Sequence, residues 1–313
     1  MRKYGFTLAE VLITLTVIGI VAAISIPALM QNVNERTWNA KRKALHSRMA
    51  AAIGQIEDIN KFGKFETVTV TNNDNTTSTE QIDTVAESFV IDGLSKVYKI
   101  TNVCGSTNLD KCGLSTTYTN LNGDAKTLPV DISSFNGASS FKKTKPASFQ
   151  TANGESLIVY YNPDCRPLYI TETTRYPKET ICANFIYDLN GADEPNEMGK
   201  DMGVMGVIYD TSQEPEVVAP NIYYKYAGQA PSYAEDGNDA ASKCKKEDPK
   251  LRLPSLNELI IANFNYRYVS EDVGGVPGTI ITPGKSGTTW AVHGGNATVI
   301  PRTQSDNVTC VKD

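Results

Sequence analysis

From Val11 to Met30 the chain runs 20 residues without a charge, about 30 Å as a helix and long enough to cross a bilayer core. No second apolar block of that length follows. Beyond it Trp38, Leu45, Met49, Ala52, Ile53, Ile56 and Ile59 recur mostly at spacings of three, four or seven. This predicts that the helix continues to about Asn60 with an apolar stripe able to carry a folded head. Pro27 has no amide hydrogen and crowds the turn before it, so a kink or local melting is expected there, with Gly19 adding flexibility. Further on the period falls to two. Thr67 to Glu80 first alternates with valines as a strand and then becomes a polar loop. Ser156 to Tyr161 and Ile181 to Leu189 read as short strands bounded by Asn-Pro and Asn-Gly turns. Ser255, with Glu258 three residues on, forms a capping box that opens a helix from Leu256 to Phe264.

Composition narrows the class. With 313 residues, 40% hydrophobic, 21% charged and a net charge of -5, the chain is neither collagenous, nor a disordered acidic tail, nor a polytopic membrane protein. The ~280 residues after the apolar block suggest two domains at ~100–200 residues each. Enzyme patterns fail. Gly278 to Ser286 imitates a phosphate loop, but its glycines are one residue too far apart and Pro283 removes a needed amide. Only His46 and His293 are present, which leaves little material for a Ser-His-Asp site. The expectation is therefore a non-enzyme that needs no cofactor. Nucleic acid is excluded as a partner by the acidic head and by lysine clusters (Lys142, Lys143, Lys145; Lys243, Lys245, Lys246) without interleaved aromatics.

The six cysteines are Cys104, Cys112, Cys165, Cys182, Cys244 and Cys310. None forms Cys-x-x-Cys, and an even number in a head beyond an anchor reads as disulfides in an oxidising compartment. Six cysteines allow 15 pairings. The favoured one joins nearest neighbours, because each such pair lies within or brackets one candidate structural unit.

The start of the chain identifies the kind of anchor. Met1-Arg2-Lys3-Tyr4-Gly5 is a short basic leader, followed by Phe6-Thr7-Leu8-Ala9-Glu10-Val11-Leu12 with one carboxylate in an apolar run. These residues resemble the type IV pilin and type II secretion pseudopilin family over residues 1 to about 60. The resemblance implies a prepilin peptidase that cuts after Gly5 and methylation of the new amine of Phe6. It also implies a filament of pilin or pseudopilin subunits, inner-membrane lipid around the helix, and a head in the periplasm or at the cell surface. A carboxylate at the centre of a membrane helix costs about 2.5–3.5 kcal/mol, and less near its end. Glu10 therefore calls for a partner, and the Phe6 amine of a neighbouring copy would set the axial register of a helix bundle. A count of Arg36, Lys41, Arg42, Lys43 and Arg48 against Arg2 and Lys3 would leave the head in the cytoplasm; the processing motif and the cysteines overrule it. The runner-up reading is a secreted lectin-like binding protein with an ordinary signal peptide cut near Val21-Ala22-Ala23.

Two further segments carry resemblances. Asp188-Leu-Asn190-Gly191-Ala-Asp193-Glu-Pro195-Asn196-Glu-Met-Gly199-Lys-Asp201 is similar to a segment, Asp-x-Asn-Gly then Pro-Asn-x-x-Gly-x-Asp, that recurs in bacterial pilin-like proteins. Asp188, Asn190, Asp193 and Asp201 offer oxygen ligands to calcium, although the spacing fails as an EF-hand. The favoured reading of the same residues is a surface turn braced by Asx hydrogen bonds. Near the end stand Cys244, Leu251-Arg252-Leu253-Pro254-Ser255-Leu256-Asn257-Glu258-Leu259, Trp290 and Asn307-Val308-Thr309-Cys310-Val311. Together they resemble a bacterial C-type-lectin-like module, departing from it at Trp290-Ala291-Val292, where Trp-Ser-Ser is usual. The resemblance implies a surface glycan or protein ligand. The expected architecture is α+β: leader 1–5, transmembrane and stalk helix 6–60, β-rich pilin-like head 61–218 and C-type-lectin-like module 219–313.

Overall fold

A computed structural model describes residues 8–60, 70–71, 77–78, 84–163, 165–166, 177–209, 215–218, 224–230, 238–269, 280–283, 289–293, 298–301 and 306–312. It is an α+β chain with an N-terminal helix and a large antiparallel sheet, consistent with a pilin-like fold. Helix α1 spans Leu8–Asn60. It is helical through Pro27, so the expected local melting does not occur. A proline removes one intrahelical donor, and the turns on either side keep theirs.

The chain divides into two compact units, Met1–Ala44 and Leu45–Asp313. In the first, α1 exposes Leu8, Val11, Leu12, Ile13, Leu15, Val17, Ile18, Ile20 and Val21. The hydroxyls in this stretch are satisfied internally: Thr14 donates to the Val11 carbonyl at 2.9 Å and Thr16 to the Leu12 carbonyl at 2.7 Å. Such back-bonding hides the hydroxyl from an apolar medium. Farther on, Lys41 lies 4.9 Å from the centre of the Trp38 ring, a cation–π contact. Among the described residues no helix is long and apolar enough to cross a membrane. The span expected over Val11 to Met30 has described side chains only as far as residue 23.

The second unit is built on a six-stranded antiparallel sheet in the order β10-β9-β8-β7-β6-β3. Its strands are β3 (Ile100–Cys104), β6 (Ala147–Thr151), β7 (Ser156–Tyr161), β8 (Ile181–Asp188), β9 (Met202–Tyr209) and β10 (Pro215–Val218). Two small ribbons, β1 (Val70–Thr71) with β2 (Thr77–Ser78) and β4 (Thr117–Thr119) with β5 (Ala125–Thr127), stand apart. Every residue of β7, β8 and β9 is buried, so the sheet is covered on both faces.

Strand alternation divides the work. Ile158, Tyr160, Ile186, Met202, Val204 and Ile208 form one core with Phe135 and with Ile260, Ile261 and Phe264 of helix α5 (Leu256–Val269). Phe135 stacks on Phe264 with ring centres 4.9 Å apart and meets Tyr160 edge-on at 4.8 Å. Asn184 and Asn265, both fully buried, exchange amide hydrogen bonds at 2.9 and 2.8 Å and pin α5 to β8. On the other face Phe149 and Tyr161 pack with Phe185 and Phe89. Phe89 comes from a short helical run in which α2 (Val85–Ser88) passes through a π-type turn, Phe89–Leu94, into α3 (Ser95–Val97).

The continuation of α1 buries Leu45, Met49, Ala52, Ile53 and Ile56, the greater part of the expected stripe. Two polar contacts fix it to the sheet. His46 Nε2 lies 2.8 Å from the Val217 carbonyl, which can only accept. Arg48 pairs with the buried Glu155, which also accepts from the Thr151 hydroxyl. The polar side of the stalk thus meets the sheet at His46 and Arg48.

A second sheet, β11-β16-β13-β14-β15 with β12 also paired to β16, follows after Val218. Its strands are β11 (Tyr224–Ala230), β12 (Leu251–Arg252), β13 (Ile280–Pro283), β14 (Thr289–His293), β15 (Thr298–Pro301) and β16 (Asp306–Lys312), with α4 (Asn238–Glu247) between β11 and β12.

The approach of α5 to the first sheet depends on Gly206 of β9. A Cβ there would stand 2.2 Å from Ile261 Cδ1. Gly206→Ala is expected to destabilise the unit by about 1–3 kcal/mol through overpacking, read by denaturant unfolding. Adding Ile261→Val should return part of the loss, and no recovery would place the cost elsewhere.

Candidate functional site

The residues singled out by sequence fall in three places: the N-terminus, the β8–β9 loop and the region around α5. Gly5 and Phe6 lie outside the described residues. Glu10 sits in the first turn of α1, exposed, amid an apolar surface. A negative charge in that turn also meets the positive end of the helix dipole.

The β8–β9 loop runs from Asp188 to Asp201, both fully buried. Asp188 Oδ1 accepts the Asn190 amide at 3.1 Å. Asp201 accepts the main-chain amides of Asn196 and Glu197, each at 2.9 Å, while its own carbonyl takes the Leu189 amide. Asn190 Nδ2 donates to the carbonyls of Asp193 and Glu194 at 3.0 and 3.2 Å. These are the Asx bonds of a braced turn. Gly191 has φ +73° and packs against the Gly113 carbonyl, which a Cβ would approach to 3.1 Å, so only glycine fits there without strain.

Of the four expected ligands, then, Asp188 and Asn190 lie together at the start of the loop, Asp201 is engaged as a brace at its end, and the Asp193 side chain is exposed. Burial, above all, pushes the Asp188 carboxyl up to about 7; the nearby carboxylates Asp201 and Asp193 add to this, against the amides of Asn190 and Gly191. Among the described residues no three His, Cys, Asp or Glu side chains gather as a metal-binding group.

Three disulfides stand at separate points of the second unit, and the third place is a capped helix. Cys104 is joined to Cys112, Cys165 to Cys182, and Cys244 to Cys310. The last bridge ties α4 to β16 across a sequence separation of 66, a loop whose closure is worth roughly 4 kcal/mol on chain-entropy arguments. At the start of α5 the Ser255 amide donates to Glu258 Oε2 at 2.6 Å and the Glu258 amide donates to Ser255 Oγ at 3.2 Å. Arg252 forks onto both carboxylate oxygens of Glu258 at 2.8 and 2.9 Å. The Arg-Leu-Pro-Ser-x-x-Glu pattern thus has a structural task, to fix the angle at which the chain enters α5. The capping box was readable in sequence; the arginine fork was not singled out, although a charge pair six residues apart across a helix start was its signal. The helix also runs to Val269, beyond the expected Phe264. Asn265 bonds to Asn184, and the Tyr268 and Val269 carbonyls accept from Tyr118 Oη and the Leu121 amide, so tertiary partners carry the last turn. The side chains of Leu259 and Trp290 lie outside those described.

Comparison with known proteins finds a match at the first of these places. Residues 1–26 match the prokaryotic N-terminal methylation motif. The match supports a type IV pilin- or pseudopilin-like protein, a structural type of subunit. It implies processing by a prepilin peptidase, assembly with other pilin subunits, and a place at the membrane or in a surface filament. No curated protein and no solved structure matches the chain.

Burial raises the Glu258 carboxyl, but the bonds from Arg252 and Ser255 outweigh it and hold the group below its ordinary 4.5. A carboxyl lowered in the folded state stabilises above its unfolded pKa, and that contribution is lost as pH falls through the folded value. Glu258→Gln is expected to cost about 1–2 kcal/mol at pH 7, allowing for solvent screening of the half-exposed Arg252. In thermal unfolding the gap to wild type should close as pH drops below ~4.5; a gap independent of pH would assign the loss to shape alone.

Proposed function

We propose that this chain is a minor pilin or pseudopilin. Residues 1–5 are a leader cut after Gly5, the Phe6 amine is methylated, and residues 6–60 anchor the subunit in the inner membrane and then in a type IV filament. Residues 61–218 form the pilin-like head, and 219–313 a C-type-lectin-like module that presents a surface for a glycan or protein ligand, in adhesion or cargo binding. The head faces the periplasm or the outside. The observation that carries this reading is the methylation motif over residues 1–26, continued by a helix whose apolar side chains stand exposed. Such a surface needs lipid or neighbouring helices to cover it.

The lectin-like part is supported by α4, whose Cys244 is bonded to Cys310 of the last strand, by the Arg252–Glu258 helix entry, and by the pairing of β11 with β16. This module is not hung on a tether, because its α5 completes a core of the first sheet.

Mass spectrometry of membrane-extracted protein should find a chain beginning at N-methylated Phe6, and Gly5→Ala should weaken or abolish the cut. A mature terminus at Ile24 would replace the filament reading with secretion through an ordinary signal peptide.

Glu10 is assigned to pair with the Phe6 amine of an adjacent subunit. Glu10→Ala should leave cleavage and head folding intact while lowering incorporation into filaments, since the remaining amine loses its partner in an apolar bundle. Co-purification with filaments at the wild-type ratio would remove that role from Glu10.

A further inference from the structure

Within the second unit, the continuation of α1 and the head enclose a cavity of about 270 Å³. Arg48, Ala51 and Gln55 line it from the helix, Tyr98 and Lys99 from the segment that leads into β3, and Asn153 from the turn between β6 and β7. Among the described residues its charged lining is cationic, Arg48 and Lys99. Arg48 is only partly satisfied. Glu155 takes its Nη2 group, but the same carboxylate also accepts from the Thr151 hydroxyl, and Arg48 Nε is buried with no hydrogen-bond partner. Tyr98 Oη lies beside the Arg48 charge, yet it too is buried and finds no partner of ordinary geometry; Tyr98 as a whole is 7% exposed. Burial, above all, raises the Tyr98 hydroxyl above its ordinary 10.0, against the nearby Arg48 charge. The proton therefore stays on the hydroxyl, where it is available to an acceptor.

Two buried donors, an N–H and an O–H, with an ammonium at the mouth, call for an acceptor that carries negative charge. They match the two oxygens of a carboxylate, whereas the further oxygens of a phosphate would face Ala51, Ala52 and Val97. We propose that this cavity receives an aspartate or glutamate side chain of a neighbouring filament subunit, its carboxylate set against Arg48 and Tyr98 with Lys99 at the mouth. The inference rests on the filament reading and adds to it the chemistry of one contact. The Arg48 side chain keeps 36% of its surface exposed, so the guanidinium is open to an entering carboxylate, which would use donors that Glu155 leaves unmet. The surroundings admit another chain. Ser47, Ala51 and Gly54 fall on one exposed face of α1 at spacings of four and three, and a Cβ at Gly54 would meet nothing within 4 Å. The sign of charge is also right, because a subunit of similar composition to this chain, whose net charge is -5, has carboxylates to offer.

The test uses the full chain in filaments. A water-soluble carbodiimide joins an ammonium to a carboxylate held against it as an amide, leaving as its urea and adding no spacer. Treated filaments should give a band with the mass of two subunits, and peptide mapping of that band should find Lys99 linked to an aspartate or glutamate. Lys99→Glu should lower incorporation into filaments at least about fivefold, since like charges facing each other cost more than a lost contact, and Lys99→Gln about twofold. Ala51→Trp, which fills the cavity, should lower it as Lys99→Glu does. Lys99 and Ala51 are exposed, so the melting temperature of each variant should equal that of wild type; if Ala51→Trp melts lower, Lys99→Glu decides. Wild-type incorporation of Lys99→Glu, or Lys99 links found only within one subunit, overturns the proposal and leaves the filament reading standing. Wild-type protein absent from filaments removes both.

Discussion

The three central strands of the first sheet, β7, β8 and β9, are buried along their whole length, and a sheet with two apolar faces is stable only when both are covered. That demand organises the second unit. One face takes α5 and the Phe135 region, the other takes Phe89 with its neighbours, and the stalk adds Leu45, Met49, Ile53 and Ile56 to the buried set. The C-terminal segment is for this reason not an appendage, because without α5 one face of the sheet would lie open.

Polar groups decide how those covers are seated. The Asn184–Asn265 exchange and the Arg48–Glu155 pair sit where apolar packing alone would allow sliding. A misplaced helix would strand buried amides or a buried carboxylate, at a cost larger than the net gain of the correct bonds. Specificity here comes from what the wrong arrangement leaves unpaired.

Local order was the readable part of the fold. The stalk stripe, β7 and β8, and the capping box of α5 follow from spacings of a few residues, and the processing motif is a short linear pattern. What escaped depends on distant partners. Arg48 and Glu155 are 107 residues apart. Gly206 in a strand gives no sign of the isoleucine it admits, and α5 outruns its expected end because residues of other segments bond its last turn. In the β8–β9 loop the sequence draws attention to Asp188, Asn190, Asp193 and Asp201, but not to the main-chain amides that Asp188 and Asp201 bond. Charge draws the eye in a sequence, whereas the structure shows which oxygens are already occupied.

The neighbouring places of β11 and β16 have a mechanical meaning. Tyr224 lies opposite Val311, so the second sheet is entered and left on the same side. Between Val218 and Tyr224 the chain can extend at most ~20 Å, and Val217 just before it is gripped by His46 of the stalk. A load applied to the second sheet therefore reaches the stalk by two routes, the short link into β10 and the α5 contact with the first sheet. The Cys244–Cys310 bridge ties β16 covalently to α4. Through α5, pulling on the second sheet would load the packed core of the first.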